Sequence, residues 1–578
     1  MAPTDQLQEV KIMLHGTAAS EGIGIGKVML IEEHSLEYTP RTVTDTEAES
    51  QRFKAAVDAF CYNTEKQAEN LRSSAGEKEA EILAGHIQII KDPYLSGEIE
   101  KLIAGGQCAE SALEHMCDMF IAMFSAADDE LTKQRAADVR DIKSGVLGIL
   151  LGVSEIKVSD APKGTVLVAR ELTPSVTAGI VKENIAGIIT ETGGTTSHSA
   201  ILARALEIPA VLSVEGVASS LKNGDTVVVD GSEGAVIVNP DDNTVAEYSK
   251  KRDAFLAERK ELENYRGRET KSASGEVYKL FCNIGKPEDA VKAVDADGEG
   301  VGLFRTEFLF MDRTSIPTED EQFEAYKKAA LILKGKSLII RTLDIGGDKD
   351  IPYLGLEKEE NPFMGFRAIR YCLKNRELFK SQIKAILRAS AFGDIKIMFP
   401  LITTMDELRE GKKLVAECKA DLRNMGINFN ESIQVGVMVE TASAAVIADM
   451  LAKEADFFSI GTNDLTGYTM ACDRGNNDVS YLYSPLQPSV LRMIKRTIEC
   501  GVQNGISVGM CGEAAANKLM IPLLISFGLT EFSVSAPSVL NVRKIISTWT
   551  KEEADKVTAK VLEMSTQQEI VEYLKSVV

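Results

Sequence analysis

The chain has 578 residues, 44% of them hydrophobic and 26% charged, with a formal net charge of -21, and at roughly 100–200 residues per domain this length makes several domains, each able to bury a core. The acidic balance repels polyanions and argues against nucleic acid as a partner, while it would attract a basic protein. No run approaches the roughly 18 apolar residues of a membrane span, and the start, MAPTDQLQEVKIMLHG, lacks a basic segment followed by an apolar one, so a cytoplasmic location without membrane insertion is expected.

The first element, Gly22 to Ile31 (GIGIGKVMLI), alternates apolar residues with glycines and reads as β structure. From about Thr44 to Leu151 the apolar period becomes helical, interrupted only by Pro93, which predicts two or more antiparallel helical hairpins. The β pattern returns with Gly164 to Ala169, Ile185 to Thr190 and Pro209 to Val214, and Asp225 to Val238 reads as a hairpin turning at Gly231 to Gly234. Between two of these strands lies GGTTSHSAILAR, from Gly193 to Arg204. It places His198 after a Gly-Gly turn and at the start of an apolar-periodic helix, where unpaired backbone N–H groups and the helix dipole would stabilise a phosphoryl group on the ring. A histidine that merely caps or packs near a turn is the simpler reading of this stretch taken alone. His15, His34 and His115 lack such a setting, and His86 lies in the helical region, where packing or partner binding suits it. Asp242 to about Arg268 has alternating charges and no glycine before Gly267, which reads as a solvated linker helix.

Eight short apolar segments follow, at Val277 to Ile284, Gly300 to Phe310, Leu338 to Ile345, Ile395 to Ile402, Gln434 to Val439, Phe457 to Ile460, Ser507 to Met510 and Phe532 to Val534. Each precedes a helix-length amphipathic stretch, and eight such units in about 300 residues fit a (β/α)8 TIM barrel better than an open doubly wound sheet. The polar residues past the strands should then converge. Arg305 and Arg341 supply cations that could grip phosphate or carboxylate, with Arg474 and Lys349 as possible additions. Glu440 ends the fifth strand and Asn463 and Asp464 follow the sixth, and carboxylates beside phosphate-binding arginines suit Mg2+. Cys511 follows the seventh strand, where a thiol can act as an acid or base. Singly, each has an ordinary alternative: Arg305 or Arg341 salt-bridged to Glu307 or Asp344, Glu440 as a helix N-terminal acid, Asn463 and Asp464 as caps, Cys511 as a small hydrophobe. Nine cysteines without a CxxC pair suit reduced thiols better than disulfides or zinc.

These motifs, together with ASEGIGIGKV, RAADVRDI, GLFRTEFLFMDR, RTLDIGGDK, NPFMGFRAIR, GTNDLTGYTMACDRG and GMCGE, closely resemble enzyme I of the bacterial phosphoenolpyruvate:sugar phosphotransferase system over nearly the whole chain. The resemblance implies a multidomain α/β protein. Residues 1–30 and 154–240 would form a swivelling phosphohistidine domain, 31–153 an inserted helical domain that binds the phosphocarrier protein HPr, 241–270 a linker helix, and 271–578 the barrel, which binds phosphoenolpyruvate and forms a homodimer. His198 would be the phosphorylated nucleophile, with Thr177 hydrogen-bonding its ring. Arg305, Arg341, Asn463, Asp464 and Arg474 would bind phosphoenolpyruvate, Glu440 and Asp464 would hold Mg2+, and Cys511 would protonate the enolate carbon. Two positions depart from the family pattern: Thr195 stands where many relatives have arginine, and Gly467 where many have glutamine. Pyruvate phosphate dikinase and phosphoenolpyruvate synthase share the histidine domain and barrel, but they carry an ATP-grasp domain for which this sequence leaves no room.

The expected reaction moves a phosphoryl group from phosphoenolpyruvate to His198 and on to HPr, the first step of sugar uptake by that system. One histidine serving two sites implies that its domain swings, with Gly152 to Lys157 and the ends of the linker helix as hinges. A different class of function, a Mg2+-dependent lyase or aldolase of pyruvate-like substrates on the barrel, leaves GGTTSHSAILAR unexplained and predicts no phosphoprotein.

Overall fold

The computed structural model describes residues 12–578 apart from 32–35, 75–76, 127–129, 154–157, 173, 178–179, 195–196, 312, 314, 347–350 and 474–475. The chain forms two compact units that divide at Arg259 and Lys260.

The first unit begins with strands β1 (Ile12–His15), β2 (Thr17–Ser20) and β3 (Ile23–Ile31). Five helices follow: α1 (Thr46–Ser74), α2 (Glu77–Ile90), α3 (Pro93–Ala104), α4 (Ala109–Ser125) and α5 (Glu130–Leu151). Their apolar faces close on one core that includes Phe53, Ile99, Leu113 and Val146. Pro93 interrupts the sequence pattern because it opens a helix: it sits at the first position of α3, and the Asp92 side chain accepts the N–H groups of Tyr94 and Leu95. His86 is buried between α2 and α5, with Nε2 3.4 Å from Asp138 and Nδ1 3.8 Å from Asp141.

The sheet resumes with β4 (Thr165–Ala169), the short helix α6 (Pro174–Thr177), β5 (Ile185–Thr190), helix α7 (His198–Leu206), β6 (Ala210–Leu212), β7 (Thr226–Asp230) and β8 (Ala235–Val238). The strand order is β1-β8-β7-β3-β4-β5-β6-β2. The central strands β3, β4, β5 and β6 run parallel, flanked by antiparallel β7 and β8 on one side and β2 on the other. β4 is TVLVA, buried at every position, as a strand covered on both faces must be. Leu167 and Ile188 face a core shared with Leu202 and Leu206 of α7, while Val166 and Val168 face a second core with Val227 and Val229. β3 and β4 are neighbours in register, Lys27 beside Thr165 and Ile31 beside Ala169, although all five of the preceding helices lie between them in sequence. A helix at Asp242–Glu263 leads out of this unit. It is shorter than the expected linker: the chain turns at Gly267, which has φ of +72°, and the Gly267 N–H is taken by Asp297 Oδ2 at 2.7 Å.

The second unit is a closed barrel of eight parallel strands: β9 (Lys279–Ile284), β10 (Gly300–Arg305), β11 (Ser337–Arg341), β12 (Ile395–Phe399), β13 (Val435–Val439), β14 (Phe457–Ile460), β15 (Ser507–Met510) and β16 (Glu531–Val534). The expected (β/α)8 architecture is therefore present. Three strands end earlier than their apolar runs suggest, β10 at Arg305, β11 at Arg341 and β12 at Phe399. Side chains pair to opposite faces along a strand, so one parity points into the barrel. Phe281, Leu303, Ile339, Met398, Met438 and Phe457 form that inner layer, joined by Cys511. Two residues further along the same parity stand Asn283, Arg305, Arg341 and Glu440. Among the described residues no helix is long and apolar enough to cross a membrane.

Candidate active site

Strand parity explains how polar residues reach the C-terminal end of the barrel. Ile339 faces inward, so Arg341 does too; Met438 faces inward, so Glu440 follows it. Arg341 is buried, its Nη2 2.6 Å from Glu307 Oε1 and its Nη1 2.9 Å from Asp344 Oδ2, with Met438 Sδ at 3.6 Å from Nη1. The salt-bridged alternative for Arg341 is thus realised, yet its Nε has no hydrogen-bond partner. Arg367 is buried as well, with Nη2 2.7 Å from Asp344 Oδ1 and 3.7 Å from Asp464 Oδ2, and its Nη1 is also unpartnered. Orphaned donors on two buried guanidinium groups are costly unless an anionic acceptor arrives. Arg305 lies half-buried at the end of β10 and, among the described residues, has no ion-pair partner.

Glu440 is 2% exposed and its Oε1 accepts the Leu401 N–H at 2.7 Å. Burial, then the charges of Asp464 and Asp344, push its carboxyl up to about 8, against the pull of Arg341 and Arg367. Burial disfavours the charge of both arginines, but the surrounding carboxylates outweigh it and hold their protons more firmly than usual. Asn463 and Asp464 lie in the first turn of the helix Thr462–Met470, after Gly461. Asn463 is braced by Tyr483, whose hydroxyl donates to its carbonyl at 2.9 Å. The repulsion among Glu440, Asp464 and Asp344 is one that a divalent cation would relieve, and carboxylate oxygens of this kind suit Mg2+, which keeps several non-protein ligands. Among the described residues no cluster of three acidic, histidine or cysteine ligands forms a metal cage of its own.

Cys511 sits in the inner layer with the barrel's apolar side chains and is 4% exposed. Burial pushes its thiol up to about 11, moderated by a hydrogen bond with Ser459 and by Arg341. Asn283 fixes the backbone there, donating from Nδ2 to the Cys511 carbonyl at 3.0 Å and the Ser533 carbonyl at 3.3 Å.

His198 begins α7, in the first unit. Ser197 caps the helix, accepting the Ala200 N–H at 3.3 Å. Gly193 precedes it with φ of +106°, and its carbonyl accepts from Ser213 Oγ at 2.7 Å, so the turn before the histidine is held from a neighbouring strand end. Thr177 is buried on α6, which packs on α7. Arg474, Lys349 and Thr195 lie outside the described residues, as do residues 154–157 of the expected hinge. Gly467 lies within Thr462–Met470, where a Cβ would come 3.2 Å from the Cys472 carbonyl, so a larger residue needs that turn to shift slightly.

Sequence reading assigned Arg367 no role, although it lies in the quoted stretch NPFMGFRAIR. No strand announces it: it precedes the helix Ala368–Lys374 on a loop, and only its burial against Asp344 reveals it. Glu307 and Asp344 entered only as salt-bridge alternatives, and they prove to be the acids that frame Arg341.

Three family models match: the PEP-utilising enzyme N-terminal domain at residues 15–135, the mobile domain at 161–234 and the PEP-binding domain at 259–550. The chain is 46% identical to the phosphoenolpyruvate-protein phosphotransferase of Bacillus subtilis (strain 168), over 98% of this chain and 99% of that one. The proteins of the same name from Listeria innocua and Staphylococcus carnosus are 45% and 43% identical, each over 97% of this chain and 98% of theirs. With three family models matched in order and relatives of 43–46% identity covering nearly the whole chain, the chain belongs to the phosphoenolpyruvate-protein phosphotransferases of the PEP-utilising enzyme family.

Proposed function

We propose that the chain carries the phosphoryl group of phosphoenolpyruvate on His198 and delivers it to a histidine of the carrier protein HPr, the entry step of phosphotransferase sugar uptake. The observation that carries this reading is the meeting, at one barrel rim, of strand-borne Arg305 and Arg341 and loop-borne Arg367 with Glu440, Asp464 and the protonated thiol of Cys511. The unpartnered Nε of Arg341 and Nη1 of Arg367 offer hydrogen bonds to an anionic substrate, and Arg305 adds a third cation. Asn463 and Arg474 complete the grip. Glu440 and Asp464 would hold Mg2+, which would supply positive charge beside the transferring phosphoryl group and the leaving enolate.

A neutral ring nitrogen of His198 attacks phosphorus, the P–O bond to the enol oxygen breaks, and the electron pair leaves with the enolate. Cys511 gives its proton to the enolate methylene carbon, forming pyruvate, and the thiolate regains a proton from water. A thiol titrating near 11 keeps its proton at neutral pH and is still acid enough for a carbanion-like carbon. Since one histidine serves both donor and acceptor, its domain moves between them, with hinges near 152–157 and at the ends of the linker helix, and the helical domain receives HPr. The barrel carries the homodimer contact, and the protein works in the cytoplasm.

Incubation with 32P-phosphoenolpyruvate and Mg2+ tests this. Label is expected on the wild-type protein, stable to base and labile to acid, and absent from His198→Ala. Histidine-bound label persisting in that variant refutes the assignment of His198; pyruvate release without any labelled protein favours a lyase on the barrel.

A further inference from the structure

Behind the arginine-bearing strand ends runs a chain of buried polar groups that contacts no side chain assigned to substrate, metal or proton transfer and reaches only the backbone of Arg341. Its centre is Gln382, fully buried on the helix Arg376–Ala389. Gln382 Nε2 donates to Thr306 Oγ1 at 3.1 Å and to Tyr326 Oη at 3.2 Å, and its Oε1 accepts the Leu343 N–H at 2.9 Å. Thr306 Oγ1 in turn donates its hydrogen bond to the carbonyl oxygen of Arg341 at 2.8 Å. On the far side Tyr326 donates to Gln322 Oε1 at 3.2 Å, and Gln322 Nε2 donates to the Pro317 carbonyl at 3.1 Å. Thr306, Gln322, Tyr326 and Gln382 are each 0% or 1% exposed.

The orientation of the amide follows from the network. Leu343 N–H can only donate, so the side-chain oxygen must face it; the Thr306 hydroxyl has spent its proton on Arg341, so it can only accept. Three of the amide's bonds are used, on three different segments. Glutamate at this position could not donate to Thr306, and methionine could make none of the three bonds. The geometric result is that one side chain holds both Thr306, which directly follows Arg305 and itself donates to the Arg341 carbonyl, and the Leu343 N–H two residues past Arg341. Leu343 N–H lies past the end of β11, so Gln382 replaces the neighbouring strand as its partner.

We infer that Gln382 is a positioning residue for phosphoryl transfer: it sets the spacing between Arg305 and Arg341 by tying the ends of β10 and β11 together from behind. This rests on the reaction proposed above. Misplacement of a bound charge by about 1 Å can cost about 10²-fold in rate without abolishing binding, because binding tolerates what the transition state does not.

Single-turnover labelling of His198 by 32P-phosphoenolpyruvate, with full-length protein and Mg2+ over a range of substrate concentrations, reads this directly. Gln382→Met and Thr306→Val should each slow phosphorylation by about 10- to 100-fold, with half-saturation shifted less than about threefold. The double variant should be no slower than the worse single, since both remove the same tie. Thr306→Ser keeps the hydroxyl and should restore most of the rate, and Tyr326→Phe, which removes only the distal bond, should lose less than about fivefold. Equal rates for Thr306→Val and Thr306→Ser, or a Gln382→Met defect confined to half-saturation, overturn the positioning role. If Gln382→Met does not fold, the valine and serine pair decides. Absence of label on the wild type overturns the reaction itself; label on the wild type with an unimpaired Gln382→Met overturns only this inference.

Discussion

Cys511 shows how a residue's surroundings choose between its two roles. Its neighbours are Phe281, Leu303 and Met438, which would suit a core cysteine, but the same inward parity sets it beside Arg341 and Glu440. Burial holds the thiol protonated up to about pH 11, so pyruvate formation should show no loss of this acid between pH 7 and 10. Cys511→Ala is expected to lower that rate by about 10²-fold or more, measured by coupled pyruvate assay, while the barrel's melting temperature stays near wild type; an unaltered rate would return Cys511 to core packing. Arg341 and Glu440 were legible in the sequence because each stands within or directly after an apolar run read as a barrel strand. Arg367 and Gln382 were not. One lies on a loop and the other mid-helix, where neither periodicity nor a strand end distinguishes a functional side chain from an ordinary polar one.

Strands of the barrel were legible in number and order, and two of their three misjudged ends share a cause. β11 was expected to reach Ile345 and β12 to reach Ile402, from apolar residues that do continue past the observed ends. In both, a side chain takes over the ladder: Gln382 Oε1 accepts the Leu343 N–H, and Glu440 Oε1 accepts the Leu401 N–H. Buried polar side chains thereby take over where these two strands end, which hydropathy cannot show. At the opposite end of the barrel, β16 begins with Glu531, whose carboxylate lies against the bare backbones of Gly302 and Gly509, with Lys396 the nearest compensating charge. Burial raises it to about 7. Below about pH 4.5 the carboxyl is protonated in both states and costs nothing; as pH rises towards 7 the unfolded chain releases its proton first and the fold loses stability. Glu531→Gln should therefore stabilise the barrel by on the order of 2 kcal/mol at pH 8, after discounting for partial solvent access, and by almost nothing near pH 4.5. Melting curves at the two pH values check this, and an equal gain at both would assign the effect to packing.

At the scale of the whole molecule, the two units have separate cores: Leu167, Ile188 and Leu202 in one, Leu280, Phe304 and Ile340 in the other. Calorimetry should resolve two transitions. Phosphoenolpyruvate with Mg2+, added to His198→Ala so that no turnover follows, should raise only the barrel's, by about 2.7 kcal/mol at about 100 times Kd; a shift of both, or of the other alone, would place the ligand elsewhere. The change from β to helical periodicity and back was readable along the sequence, but the closeness of β3 and β4 was not, because adjacency in a sheet leaves no mark on two runs separated by five helices. That separation has a consequence for synthesis. Ile12 of β1 pairs with Val238 of β8, and at roughly 5–20 residues per second the ribosome needs on the order of tens of seconds to supply the partner. The helical hairpins, whose contacts are local, have ample time to fold while the first three strands wait unpaired. The inserted helices are thus expected to form before the sheet that carries His198, whose outer strand β1 must wait for β8.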